Sequence, residues 1–169
     1  MDWQKVESIF LQGDGRYELG FAETLVEFFN KSALILEKEE LEDFNFKSEE
    51  LESINGPQKL AKAVGKKLLI INGFALSGYE KDLGWGIADV VGEDRDGNLI
   101  VIECGPCRLT KVVDYFRNEW VKELWVVSYY SDERFLYRIK KGFNWESIFQ
   151  EFENTKIKNL LKIKSPLDS

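Results

Sequence analysis

Apolar and polar residues alternate in a pattern that predicts a β-hairpin near the middle of the chain. Two strand-like apolar runs, residues 86–91 and 99–104, flank the turn signal Asp96-Gly97. A three-residue loop that ends at Gly97, with this glycine in a left-handed conformation, sets which residues pair across the hairpin. Because successive side chains point to opposite faces of a strand, that register decides which side chains meet.

Two carboxylates are expected to meet on one face of this hairpin. Asp89 lies near the end of the first strand and Glu103 near the end of the second. The predicted register places them directly opposite each other, with their Cβ atoms about 5 Å apart. Two acids this close in an apolar hairpin repel and desolvate each other unless a cation joins them. The hairpin therefore predicts half of a divalent-metal site.

The apolar patterns before the hairpin predict two helices and a strand. Residues 17–29 have helical periodicity, and Glu18 lies in the middle of their apolar face, where a carboxylate needs a partner. A shorter helix starts near Pro57 and ends at Gly65. Residues 67–75 then have the pattern of a strand that leads towards the hairpin.

A strand–helix–strand unit follows from the hairpin. Gly105-Pro106 ends the second strand and opens a helix. This helix has one narrow apolar face, formed by Leu109, Val112, Val113, Phe116 and Trp120. Residues 123–129 form a buried strand, and this spacing implies a right-handed parallel crossover. Residues 135–139 predict a further strand, and residues 145–152 predict a final helix.

The order of these elements resembles a known nuclease family. Helix, strand, strand with Asp89, strand with Glu103, helix and strand is similar to the core of the PD-(D/E)XK nuclease superfamily, the restriction-endonuclease-like fold. Glu18 matches the helical glutamate of that family. The resemblance covers roughly residues 15–30 and 68–130. It implies an α/β fold with a mixed central sheet flanked by helices.

Length and composition fit a single domain over residues 1–169, because 44% of the residues are hydrophobic. The resemblance implies a nuclease-like core over about residues 15–130, with a C-terminal strand and helical extension over about residues 131–169. No apolar run approaches the ~20 residues that a membrane span needs. The N-terminal sequence also lacks the pattern of a signal peptide. We therefore expect a cytoplasmic protein without a membrane partner.

The resemblance implies metal-dependent hydrolysis of phosphodiester bonds in nucleic acid, with DNA preferred to RNA. Asp89, Glu103 and the backbone carbonyl of Cys104 would hold Mg²⁺ or Mn²⁺, which are hard cations that favour oxygen ligands. Glu18 would orient the attacking water. Family nucleases often act as homodimers to cut both strands, so the resemblance leaves a homodimer open.

One position departs from the family pattern. The family places a lysine two residues after the strand glutamate, and this chain has Gly105 there. Lys111 and Arg108 are the local candidates to replace the missing positive charge. Lys111 lies far from the apolar stripe of its helix, but its place in the first turn would let it reach the end of the strand. Without a replacement, the domain would be a degenerate relative that binds nucleic acid without cutting it.

The segment Cys104-Gly105-Pro106-Cys107 predicts a different class of function. By itself it resembles the active site of a thioredoxin-type dithiol/disulfide oxidoreductase, with Cys104 as the nucleophile and Cys107 as the resolving thiol. The surroundings differ, because thioredoxin-like folds need a cis-proline before a later strand, and the only later proline here is Pro166 near the C-terminus. A structural pair of cysteines, a disulfide and half of a shared zinc site also remain open.

Composition limits the available chemistry. The chain has no histidine, which excludes Ser-His and Cys-His catalysis and imidazole ligation of metals. The net charge is −7, but residues 1–104 carry 11 basic and 21 acidic side chains, whereas residues 105–169 carry 12 and 9. The basic set in the C-terminal part is either a phosphate-binding surface or a charged edge strand, and it consists of Arg134, Arg138, Lys140 and Lys141.

Overall fold

The computed structural model of the protein describes residues 10–11, 26–84, 86–105, 107–130 and 133–163. The strands are β1 (Phe10–Leu11), β2 (Leu34–Glu40), β3 (Ala75–Asp82), β4 (Ile87–Glu93), β5 (Leu99–Cys104), β6 (Cys107–Arg108), β7 (Val121–Tyr129) and β8 (Arg134–Lys141). The helices are α1 (Ser48–Ser53), α2 (Pro57–Ile71), α3 (Leu109–Phe116) and α4 (Trp145–Ile163), and residues 26–30 are also helical.

Six of the strands form one mixed sheet in the order β2-β8-β7-β5-β4-β3. β5 and β7 are parallel, and the other neighbouring pairs are antiparallel. Because α3 connects β5 to β7 along the chain, the parallel pairing predicted from the strand–helix–strand spacing is confirmed. The short strands β1 and β6 pair with each other in parallel, apart from this sheet. The predicted α/β class with a mixed sheet is therefore confirmed.

Helices cover both faces of the sheet, and each face has its own apolar core. On one face, α3, α4 and the helical residues 26–30 pack on the strands through side chains such as Phe116 and Trp145. On the other face, α2 packs on the strands through side chains such as Val64 and Leu69. The central strands β5 and β7 are buried on both faces, which explains their nearly continuous apolar runs.

The hairpin formed by β4 and β5 has the predicted register. Val90 pairs with Ile102, and the following pairs continue in step to Glu93 and Leu99. Gly97 in the connecting loop has a φ of 83°, as the predicted three-residue loop requires. Asp94 stabilises the loop, because its Oδ1 accepts hydrogen bonds from two backbone N–H groups of the turn. Asp89 and Glu103 are the next residues beyond the end of this ladder.

The prediction of a strand over residues 67–75 is wrong for most of this segment. α2 begins at Pro57 as predicted but continues through Gly65 to Ile71, and β3 begins only at Ala75. The apolar run after Lys67 suits either a strand or a buried helix, and its packing decides between them. Alternate burial would mark a strand, but Leu68 and Leu69 are both buried while Ile70 and Ile71 are both exposed.

α2 lies close to the sheet because glycines occur where the two meet. A Cβ atom added at Gly92 of β4 would lie 2.4 Å from the Leu69 Cδ2 atom, and one added at Gly65 would lie 3.3 Å from Ile102 Cγ2. Neither position therefore has room for a larger side chain without a shift of its neighbours. These contacts set the distance between α2 and the hairpin strands.

Two further sequence expectations change in the structure, and a third lies partly outside the described residues. The helix expected directly after Pro106 begins two residues later, because Cys107 and Arg108 form β6 and pair with β1. β8 is not the edge strand considered for the basic set, because it lies between β2 and β7. Helical residues 26–30 agree with the end of the predicted first helix, but Glu18 lies outside the described residues.

Candidate functional site

The hairpin brings the two predicted carboxylates together at one end of the sheet. The Asp89 Oδ2 atom accepts a hydrogen bond from the backbone N–H of Cys104 at 2.8 Å, so the carboxylate takes a place in the strand ladder. Glu103 is on the face covered by α3 and is only 5% exposed. The side chains of Asp89 and Glu103 are hydrogen-bonding neighbours. The predicted pairing of these two acids is confirmed.

The surroundings of Glu103 favour its neutral form. Burial raises its pKa from 4.5 to about 7, the hydrogen bond from Tyr115 opposes the rise, and the charge of Asp89 adds to it. A carboxyl group with this pKa changes its charge near neutral pH.

α3 supplies two polar contacts to Glu103. Lys111 Nζ lies 3.2 Å from Glu103 Oε1, and the Tyr115 hydroxyl contacts the same oxygen. The Tyr115 hydroxyl also lies 2.9 Å from the backbone carbonyl oxygen of Ile87, so it links α3 to both strands of the hairpin. Lys111 and Tyr115 are four residues apart, and this spacing puts them on one side of the helix. Lys111 therefore reaches the strand-end site, as its first-turn position predicted.

The left-handed backbone explains why Gly105 replaces the lysine expected from the family pattern. Gly105 has a φ of 87°, a conformation that residues with a Cβ atom rarely adopt. A Cβ atom there would also lie 3.3 Å from the Tyr130 hydroxyl oxygen. The chain thus turns sharply after β5, and the positive charge beside Glu103 comes from Lys111 instead.

A second cation approaches the site from the opposite face of the sheet. Lys62 of α2 pairs with Glu80 of β3, and this hydrogen bond is the main cause that raises the pKa of Lys62. The negative charge of Asp89 also raises that pKa. Glu80 has a φ of 48°, which is unusual for a residue other than glycine.

Sequence reasoning missed Tyr115, Lys62 and Glu80. The helical spacing between Lys111 and Tyr115 was a usable signal for the first. Nothing in the local sequence pointed to Lys62 and Glu80, because their pairing joins two elements 18 residues apart in the chain.

The two cysteines do not have the surroundings of a reactive dithiol. Both are in the thiol form. Burial raises the pKa of Cys104, and it raises the pKa of the fully buried Cys107 well above its ordinary value. Cys107 begins β6, so the segment between the cysteines does not open the helix that would lower a thiol pKa. This arrangement gives the redox alternative no support.

The residues at the site suit a hard divalent cation but do not enclose one. Asp89, Glu103 and the backbone carbonyl of Cys104 are all oxygen donors, which fits Mg²⁺ or Mn²⁺. A cation between the two carboxylates would relieve their mutual repulsion, which adds to burial in favouring a proton on Glu103. Within the described ranges, no three Asp, Glu, Cys or His side chains gather into a metal-binding group. A bound ion would therefore need water or substrate oxygens as additional ligands.

A small cleft of about 60 Å³ lies beside Cys104, where the parallel strands β5 and β7 end. Its lining includes Pro57, Ala61, Cys104, Gly105, Val127 and Tyr130. This volume is well below the roughly 300 Å³ of a typical small-molecule pocket.

The basic residues of β8 form contacts with other residues of the protein. Arg138 donates two hydrogen bonds to Glu123, a buried residue, and lies 4.9 Å from the ring centroid of Trp125. Arg134 pairs with Asp43, Lys140 pairs with Glu37, and burial lowers the pKa of Lys141. These contacts do not support β8 as the main phosphate-binding surface.

In the part of the chain that the structure describes, no helix is long and apolar enough to cross a membrane. Comparison of the chain with protein-family models, with curated proteins and with solved structures finds no match.

Proposed function

We propose that this protein is a metal-dependent nuclease with a restriction-endonuclease-like core, acting on DNA in preference to RNA. The order of elements supports this proposal. α2, β3, β4, β5, α3 and β7 follow one another along the chain, and the four strands lie side by side as β3-β4-β5-β7. This is the helix–strand–strand–strand–helix–strand order of the resemblance, with α2 as its first helix in place of the helix that carries Glu18.

The observation that carries the proposal is the cluster of Asp89, Glu103 and Lys111. Asp89 and Glu103 lie at the ends of adjacent strands, and the Lys111 Nζ atom lies 3.2 Å from Glu103 Oε1. Phosphodiester hydrolysis needs anionic oxygens to hold a divalent cation and a positive charge to stabilise the phosphate in the transition state. This cluster offers both, and Lys111 compensates for the glycine at position 105.

In the proposed mechanism, each residue of the cluster has a separate role. A bound Mg²⁺ or Mn²⁺ would supply Lewis-acid stabilisation of the phosphate and a more acidic water. Glu103 must lose its proton to act as an anionic ligand beside Asp89, and Tyr115 holds its Oε1 atom in place. Lys111 would then turn from Glu103 to a phosphate oxygen and stabilise the negative charge that develops there.

The test is a cleavage assay on labelled single-stranded, duplex and branched DNA, with Mg²⁺, with Mn²⁺ and with a chelator. We expect cleavage only with a divalent metal, and none for Asp89→Ala or Glu103→Gln. Lys111→Ala should reduce the rate by about 10² to 10³, as the loss of one transition-state donor does in other enzymes. Lys122→Ala removes an equivalent exposed charge from β7 and serves as the matched control.

Two outcomes would contradict the proposal. Cleavage that survives in Asp89→Ala would place the activity elsewhere or in a contaminant. DNA binding without cleavage in any divalent metal would indicate the degenerate, non-cutting relative instead. Cys104→Ser should keep most of the activity, whereas a redox function would predict the opposite dependence on these two positions.

A further inference from the structure

α2 carries a row of lysines on the side that faces away from its apolar core. Residues 53–79 contain four lysines and no acidic residue, although the N-terminal part of the chain is strongly acidic overall. Lys59, Lys62 and Lys66 recur at spacings of three and four, so they form one stripe along the helix. This stripe spans about 10 Å at the helical rise of 1.5 Å per residue.

The stripe is open to solvent at both ends and approaches the candidate site in the middle. Lys59 and Lys66 are exposed and form no ion pair with any residue that the structure describes. Lys62, between them, is paired only with Glu80 and feels the charge of Asp89. Ala61, the residue before Lys62, lines the small cleft beside Cys104, so a polyanion on the stripe would pass near the end of β5.

A groove of about 400 Å³ lies next to the stripe, between α2, β3 and the segment before α2. It combines cationic, apolar and aromatic groups with one acid, and its lining includes Lys47, Glu50, Lys66, Lys67, Ile70 and Tyr79. Tyr79 is 46% exposed and Ile70 is 58% exposed, so both offer open apolar surface. Because β3 is the last strand of the sheet, this groove opens at the edge of the fold.

We propose that the groove between α2 and β3 binds single-stranded nucleic acid and leads the strand to Asp89. In this complex, Lys59, Lys62 and Lys66 contact the phosphates, and Tyr79 lies against a base. The inference that the strand leads to Asp89 rests on the proposed nuclease function, but the inference that the groove binds single strands does not. Lysines along a groove with an exposed aromatic ring are the combination that holds single strands without sequence preference. Glu80 occupies Lys62 when no phosphate is present and is displaced on binding.

The test measures the affinity of a fluorescein-labelled oligothymidylate by anisotropy in a chelator, over a range of salt concentrations. We expect the double variant Lys59→Ala/Lys66→Ala to lose about tenfold in affinity. Its salt dependence should also fall by about 1.4 in log–log slope, at roughly 0.7 per lost phosphate contact. The double variant Lys31→Ala/Lys122→Ala removes the same charge from other exposed sites and should change affinity less than twofold.

Two single substitutions, at Glu80 and at Tyr79, should change the affinity for the oligonucleotide in opposite directions. Glu80→Gln removes the competitor for Lys62 and should tighten binding about threefold. Tyr79→Ala should weaken it by about fivefold or more, since stacking on an aromatic ring contributes strongly to single-strand binding. Tyr79→Phe keeps the ring and should retain the affinity.

The outcomes separate this inference from the proposed function. Equal losses in the two double variants, no binding by the wild type, or tighter binding of polyglutamate than of the oligonucleotide would each overturn it. Binding that depends on the α2 lysines without cleavage in Mg²⁺ or Mn²⁺ would refute only the nuclease. Cleavage with an α2 double variant that binds like its control would refute only the groove.

Discussion

At the scale of single residues, Glu103 illustrates how burial and a neighbouring charge can raise the pKa of a carboxyl group to near neutral pH. Its pKa of about 7 arises first from burial and then from the neighbouring Asp89, against the hydrogen bond from Tyr115. Asp89 itself is fixed by the backbone N–H of Cys104. One acid is therefore anchored, while the other changes its charge in the pH range where a cell operates.

This pKa predicts how the stability of the metal-free protein depends on pH. Glu103 binds its proton more tightly in the folded state, so its contribution is present at low pH and is lost as pH rises from about 4.5 to about 7. Glu103→Gln should remove this loss and gain up to about 3 kcal/mol over the wild type at pH 8, with little change at pH 4. Urea unfolding of both proteins at pH 4 and pH 8 measures this difference in the free energy of unfolding. Parallel pH profiles of the two proteins would contradict the assignment.

At the scale of elements, the contact between α2 and β4 controls how the two faces of the site approach each other. Gly92 lies under Leu69, and a methyl group at Gly92 would meet the Leu69 side chain at 2.4 Å. Since Leu69 is fully buried, it has little space to move away. The position of Lys62 relative to Asp89 therefore depends on a close contact elsewhere on the same helix.

We predict that Gly92→Ala lowers the free energy of unfolding by about 1–3 kcal/mol, the usual cost of overpacking a core. Gly78→Ala in β3 is the control, because a Cβ atom there has no neighbour within 4 Å. Chemical denaturation of both variants measures the difference. Equal stability of the two variants would show that α2 can shift without cost.

At the scale of the whole molecule, the exposed positive charge does not lie in the part of the chain that has the most basic composition. The C-terminal part has more basic than acidic side chains, but Arg138, Lys140 and Arg134 of β8 form ion pairs with Glu123, Glu37 and Asp43. The exposed basic stripe lies on α2, within the acidic N-terminal part. Averages over sequence segments therefore misplace the positive surface, since pairing decides which charges remain available.

Metal binding at the carboxylate pair should stabilise the whole fold. A ligand that binds only the folded state at 100 times its dissociation constant adds about 2.7 kcal/mol to the free energy of unfolding. We expect Mn²⁺ to raise the melting temperature of the wild type and to leave that of Glu103→Gln unchanged. Calorimetric titration of Mn²⁺ into both proteins gives the dissociation constant. A similar increase in both proteins would place the ion at another site.

The sequence by itself determined the hairpin and its register. The Asp96-Gly97 turn and the alternating strands act over a few residues, so Asp89, Glu103 and the reach of Lys111 could be predicted without the fold. Only the tertiary structure decided that the run after Lys67 is helical, that β8 is an interior strand, and that Lys62 pairs with Glu80. Those outcomes depend on contacts between segments far apart in the chain, and local periodicity contains no record of them.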